Sequence, residues 1–353
     1  MKNLLRLLLK TKHQKNRSEP DQIEKGMTLV ELLVGSIMAF LIITPMLAFV
    51  VDMLNTDRKE QLKSNTEQDI QAAVDFIAQD LSQSIYIYDN AGITAINSFL
   101  PTASGTPVLV FWKRQPLKNS LPRNSTVAAK PKTCDQYMNP RQCNDTYVRS
   151  LVAYYQIKDT LSTWCQPSGG NCPTRIARYE IRDGIDRLTD TATGQPYGPT
   201  NTTDAQQTDP GFNSETDPDK SFNLNNPTVN VTNPAGFTDK SGAKNPQVLV
   251  NYIDHSPEQK QIDKAECQKA LGNPSVTIGV TPTEIPEATL RVPAPDTVNS
   301  FYACVDTRRN LARVTIRGNS LRRLQTDANY NPNNSAFFPT ASVQVQGLGA
   351  RGN

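Results

Sequence analysis

The longest apolar pattern in the chain runs from Met27 to Val51, with Glu31 as its only charge. As a helix rising 1.5 Å per residue, such a run is long enough to cross a hydrocarbon layer of about 30 Å. Pro45 falls inside it, where it removes one backbone hydrogen bond and predicts a kink. From Asn55 to Asp69 the pattern is polar nearly all round, and then Ile70, Val74, Ile77, Leu81 and Ile85 recur at three- or four-residue spacing. Those five predict one face of an amphipathic extension of the helix over 52–89.

After Asn90 the apolar positions gather into short runs separated by turn residues. They are Val108–Trp112, Val148–Ile157, Arg175–Ile181, Val248–Ile253, Ser275–Val280, Ala288–Val292, Phe301–Val305, Leu311–Ile316 and Ala341–Val345. Antiparallel strands are the natural reading, so the fold class is α+β: a long N-terminal helix and a β-rich head over 90–353. Within the head, about 183–246 is dominated by Asn, Thr, Asp, Pro, Gly and Ser, with few apolar residues to offset the cost of ordering. It reads as a large insertion, either a flexible spacer or a displayed recognition surface. No complete D-x-[DN]-x-[DN]-G calcium loop occurs in it.

The chain has 353 residues and a formal charge of +3, but residues 1–25 hold seven basic side chains against three acidic ones. The remainder has 30 basic and 31 acidic residues, so overall charge gives no ground for a nucleic-acid partner. The basic leader before the apolar run and Asp52, Asp57 and Arg58 after it place the leader on the cytoplasmic side and the head across the membrane. A single-pass protein of the inner membrane with a periplasmic or extracellular head is the expectation.

All six cysteines, at 134, 143, 165, 172, 267 and 304, follow the apolar run, and an even number there points to an oxidising compartment. Six cysteines allow 15 pairings. The simplest local scheme is Cys134–Cys143, Cys165–Cys172 and Cys267–Cys304. Zinc is the rival, and it is disfavoured because there is no C-x-x-C couple and only His255 lies outside the leader.

A cleavable secretory signal would end in small residues after its apolar stretch; here the only processing signature, Lys25-Gly26, precedes it. The stretch Gly26-Met27-Thr28-Leu29-Val30-Glu31-Leu32-Leu33-Val34 resembles the prepilin signature of type IV pilins and type II secretion pseudopilins. The resemblance implies a leader over 1–26, cleavage between Gly26 and Met27 by a prepilin peptidase, and N-methylation of Met27. It also implies a pilin-like fold, with Glu31 pairing with the N-terminal amine of a neighbouring subunit. A carboxylate in lipid costs several kcal/mol unless partnered, so that pairing would favour side-by-side helix assembly and fix its register. The implied partners are other pilins or pseudopilins, an inner-membrane assembly platform and its separate ATPase, and membrane lipid.

Phe337–Gly347 and Arg313–Asn319 are more narrowly similar to cyanobacterial pseudopilins linked to hormogonium polysaccharide secretion. That likeness implies help with polysaccharide export and gliding motility. Two alternatives stay open. One is a minor subunit of a surface pilus for twitching, adhesion or DNA uptake; the other is an uncut, signal-anchored binding ectodomain.

Enzyme chemistry finds little footing. Gly347-Leu348-Gly349-Ala350-Arg351-Gly352 is formally G-x-G-x-x-G, but no helix follows it to present its positive end to a phosphate. No G-x-S-x-G, H-E-x-x-H or Walker loop is present, no pair of carboxylates stands out, and neither a metal nor a cofactor is expected. Arg308, Arg309, Arg313, Arg317, Arg322 and Arg323 form the most basic stretch of the head. Alternation along Leu311–Ile316 turns Arg313 and Arg317 to one face, either the wet side of a sheet whose edge they protect or a contact with an anionic polymer or acidic partner.

Overall fold

The apolar run and the amphipathic stretch after it form one helix, α1 (Leu29–Ser82), which continues through Pro45. The structure is a computed structural model, and it describes residues 28–97, 100, 105–122, 143–158, 163–182, 188–189, 196–197, 246–256, 265–278, 281–293, 300–326 and 328–349. Gly26, Met27, Cys134, the side chain of Cys143 and most of the insertion fall outside that description. The chain divides into two compact units, Met1–Asp57 and Arg58–Asn353.

In the first unit, α1 is exposed on every side, and its large apolar residues from Leu29 to Leu54 all face outward. Ser36 and Thr44 do not break this apolar surface, because their hydroxyls donate to the Leu33 and Phe40 carbonyls one turn back, each at 2.8 Å. This is a helix long and apolar enough to cross a membrane.

In the second unit, Ile70, Val74, Ile77 and Leu81 are all buried, as the spacing predicts. Ile85 departs from that reading. The helix stops at Ser82, and Ile85 lies on strand β1 (Ser84–Ile87), where the Ile-Tyr-Ile sequence favours a pleated, half-buried edge over another helical turn. A short helix α2 (Asn90–Ile96) follows, its first turn capped by the Asp89 carboxylate accepting from the Gly92 amide at 2.7 Å.

Next come β2 (Thr106–Pro122), β3 (Cys143–Lys158) and β4 (Thr174–Arg182), then the two-residue pair β5 (Leu188–Thr189) and β6 (Pro196–Tyr197), and β7 (Gln247–Ile253). The order β1-β2-β3-β4-β7 makes a five-stranded antiparallel sheet. Beyond it lie α3 (Glu266–Ala270), the hairpin β8 (Ser275–Ile278) and β9 (Thr281–Glu284), and α4 (Glu287–Leu290). A second antiparallel sheet runs β10 (Arg291–Val292), β11 (Phe301–Asp306), β12 (Leu311–Arg317) and β13 (Thr340–Gln346).

The run Ala288–Val292 is therefore only partly strand. Ala288 to Leu290 are helical, with Leu290 in a small second core, and Glu287 is engaged in accepting from the Cys267 and Gln268 amides at the start of α3, both at 2.9 Å.

The two sheets meet where β7 ends: Ile253 bridges Gly318, and the Asn319 amide donates to the Tyr252 carbonyl at 2.8 Å. A side chain at Gly318 would put its first carbon 2.3 Å from Ile70 Cδ1 and 2.9 Å from Thr66 Cγ2, so glycine is what lets α1 lie this close. One core joins the buried face of α1 to both sheets. β11 is buried on both faces: Phe301, Ala303 and Val305 enter that core, while Tyr302 and Cys304 pack with Cys267, Leu271 and Leu290. This explains why its sequence shows no polar alternation.

Candidate functional site

Glu31 sits in the first turn of α1, where its backbone amide is held by the Thr28 carbonyl at 3.0 Å and by Thr28 Oγ1 at 3.3 Å. Its carboxylate has no hydrogen-bond or ion-pair partner among the described residues. It is the one ionisable group between Leu29 and Val51, surrounded by Leu29, Val30, Leu32, Leu33 and Val34, all exposed. Chemically this is an acceptor on an apolar rod, suited to a cation brought by another molecule or by the chain's own N-terminal side. Gly26 and Met27 lie outside the described residues, so the cleavage and methylation expectations stay as the sequence left them.

The second charged constellation escaped the sequence reading. Asp80, in the last turns of α1, accepts from Tyr154 on β3 at 2.6 Å and from Arg178 Nε on β4 at 2.7 Å, and Lys113 Nζ on β2 stands 3.0 Å away. Glu180 completes the group, 3.1 Å from Lys113 Nζ and 2.7 Å from a terminal nitrogen of Arg178. Two cations thus balance two carboxylates beneath the helix.

Burial opposes ionisation of Asp80, but the Arg178 and Tyr154 hydrogen bonds and the Lys113 charge outweigh it and hold the carboxyl below its ordinary value. Glu180 is likewise held low: burial is outweighed by the charges of Lys113 and Arg178. Burial and the neighbouring Asp80 charge keep the Tyr154 phenol protonated far above its usual range, which makes it a permanent donor. A cluster so fully occupied fastens the helix end to three strands. No periodicity in the sequence points to it, because its members come from four separated elements.

The arginine-rich stretch is dispersed by the fold. β12 is an inner strand, so Arg313 cannot be protecting a sheet edge; it remains partly exposed and donates to Ser342 Oγ at 3.3 Å. Arg317, on the same side of the strand, is only 7% exposed, ion-paired to the buried Asp254 at 2.6 Å with the Tyr330 ring 5.1 Å from its guanidinium. A shared Arg313–Arg317 surface for an acidic polymer is not what the packing provides. Arg308 and Arg309 turn toward Asp306, and Arg322 is fully buried, donating to the carbonyls of Asn171, Pro167 and Gly169.

Two of the cysteine pairs are disulfides, Cys165–Cys172 and Cys267–Cys304; the proposed Cys134–Cys143 bridge lies outside the described side chains. Gly347 and Gly349 of the nucleotide-like motif also have a packing role. Their amides donate to the Asn310 and Ser84 carbonyls at 2.9 and 3.2 Å, and a side chain on either would come within 2.0 Å of Ser84 Oγ or the Ile85 carbonyl. Among the described residues, no three His, Cys, Asp or Glu side chains are grouped to hold a metal ion. Compared with known protein families, curated proteins and solved structures, the chain matches none.

Proposed function

We propose that this chain is a pilin-like subunit of a membrane-anchored filament, a minor pilin or pseudopilin. In this reading a prepilin peptidase cuts between Gly26 and Met27, the new N-terminus is methylated, and α1 holds the subunit in the inner membrane with its head in the periplasm. Extraction by an assembly platform and its ATPase then places α1 among the helices of other pilins or pseudopilins. The filament works mechanically, assisting polysaccharide export and gliding.

One observation carries the reading. A single helix is apolar and exposed around its whole circumference from Leu29 to Val51, bears in that stretch one carboxylate, Glu31, with no partner among the described residues, and later gives its buried face to the core of a head. An ionised side chain in lipid costs about 3 kcal/mol on insertion scales, and a positive terminus on the next subunit would remove much of that cost. An ordinary anchor gains nothing from keeping the acid.

The test is the mass of the mature N-terminus, taken from chain produced in its own host. The expected product begins at Met27 and carries one added methyl group, while Gly26→Val leaves the precursor at full length. Glu31→Leu should be cut and inserted normally yet be depleted at least about tenfold from sheared filaments, in keeping with the loss of a partnered charge in lipid. A native chain that is never shortened would sink the proposal.

A further inference from the structure

Beside the helix, the head has an open cleft of about 640 Å³, within the size range of small-molecule sites. Its walls come from α1, β7 and the loop closed by the Cys165–Cys172 disulfide. Four large apolar side chains beyond Leu54 are exposed among the described residues, namely Phe76, Tyr147, Trp164 and Leu348, and two of them, Phe76 and Trp164, line this one cleft. The guanidiniums of Arg178 and Arg175 lie 5.6 and 5.7 Å from those rings, and the side chains remain 41% and 44% exposed. Tyr252, Asn251 and Gln166 line the same cleft. Among the described residues lining the cleft, the charged ones, Asp69 and Arg323, pair with each other.

Several features fix the walls of the cleft in place. Three residues of β7 span the distance that two of β4 cover, between the pairs Ile176–Val250 and Thr174–Ile253, so Asn251 and Tyr252 form a bulge. Tyr252 takes a left-handed backbone conformation, φ 59°, which is strained for a bulky side chain; such strain concentrates at binding sites. The Arg323 guanidinium lies 4.5 Å from the Tyr252 ring. Asn251 donates to the Trp164 carbonyl at 3.2 Å. The neighbouring Cys165–Cys172 loop is clamped from beneath by Arg322 through the Asn171, Pro167 and Gly169 carbonyls, at 2.8, 3.0 and 3.1 Å. The aromatic wall is therefore preorganised by a disulfide, a buried arginine and a strand bulge.

We infer that this cleft binds a neutral sugar unit of a polysaccharide. A pyranose ring presents an apolar C–H face and a girdle of hydroxyls, so it needs flat aromatic surface next to planar amides and fixed donors, and both are present. Phe76 and Trp164 supply the stacking surface. Gln166, Asn251 and the Asp69–Arg323 pair supply hydrogen bonds to hydroxyls. Arg323, the cation among the described lining residues, is already paired with Asp69, which favours a neutral ligand over an anion. The inference rests on residues of the second unit, Arg58–Asn353, including the last turns of α1, and is independent of whether the chain is cut before Met27.

The test uses the full chain in a non-glycosidic detergent, titrated with cellohexaose, xylohexaose and mannohexaose by calorimetry and by tryptophan emission. Trp112 is buried and only 3% exposed, so Trp164 is the responsive reporter. At least one hexasaccharide is expected to bind with Kd below about 1 mM and to shift the emission. Trp164→Ala and Phe76→Ala should each weaken that binding about fivefold or more, whereas Trp164→Tyr, which keeps a flat ring, should stay within about threefold. Mass analysis of the Cys165–Cys172 bridge and a thermal melt show that the variants remain folded, and Phe76→Ala leaves the disulfide loop untouched. No binding by any of the three sugars, or unchanged binding by the two alanine variants, would overturn the assignment. Either result leaves the N-terminal mass, on which the filament reading depends, free to succeed or fail separately.

Discussion

Replacing Asp80 with Asn removes one negative charge from a buried set of four while keeping its shape and an acceptor for Tyr154. Lys113 and Arg178 would then share the single carboxylate of Glu180, and their side chains are only 5% and 18% exposed, so solvent cannot compensate. Breaking a buried pair in this way typically costs about 3–5 kcal/mol, most of it the penalty of an uncompensated buried cation. For a head of this size about 3 kcal/mol corresponds to a fall in melting temperature of about 5–6 °C. Circular dichroism on the full chain in detergent measures it.

The pH dependence is a stricter check. Asp80 and Glu180 both ionise at lower pH in the folded head than such carboxyls do in an unfolded chain. A carboxyl with a depressed folded value binds more protons when unfolded, so its stabilisation is complete above the unfolded value and disappears as pH falls through the folded one. The gap between native protein and Asp80→Asn should be full near neutrality and close progressively in the acid range below about pH 4. A melting difference worth less than about 1 kcal/mol at neutral pH, or a gap that does not narrow in acid, would refute the argument that this cluster fastens helix to sheet.

Two further substitutions probe the head. Gly318→Val forces a side chain into Ile70 and Thr66 of α1, and chemical denaturation should show a loss of about 1–3 kcal/mol or more, with Gly318→Ala intermediate. Removing the Cys267–Cys304 bridge by Cys304→Ser opens a link across 37 residues, and loop entropy alone sets a cost of about 4 kcal/mol, to be read from the denaturation midpoint against the oxidised native chain.

The N-terminal half of α1 was legible from the residues alone because a run of side chains that cannot hydrogen-bond has few structural options, and a helix satisfies its own backbone. The same holds for Ile70, Val74, Ile77 and Leu81, whose period specifies both the helix and its buried face, and for most of the strands. Two of the local cysteine couples also paired as their spacing suggests. Where local pattern and long-range packing competed, packing decided. Ile85 fitted the helical period yet joined a strand; Arg317 fitted a solvent-facing alternation yet was buried against Asp254, which lies 63 positions earlier.

What the sequence determined by itself, then, is the apolar rod with its single acid, the α+β composition of the head and the short Cys165–Cys172 disulfide, since each depends on neighbours within a few turns of chain. Only tertiary structure decided the Asp80–Lys113–Arg178–Glu180 cluster, the close approach at Gly318 and the aromatic cleft beside β7. Their members come together from distant segments, and charge balance or shape is defined only after those segments meet. An Asp in a helix or a Trp in a loop carries no mark of its future partner, because the free energy that selects the pairing comes from burial shared by the whole head.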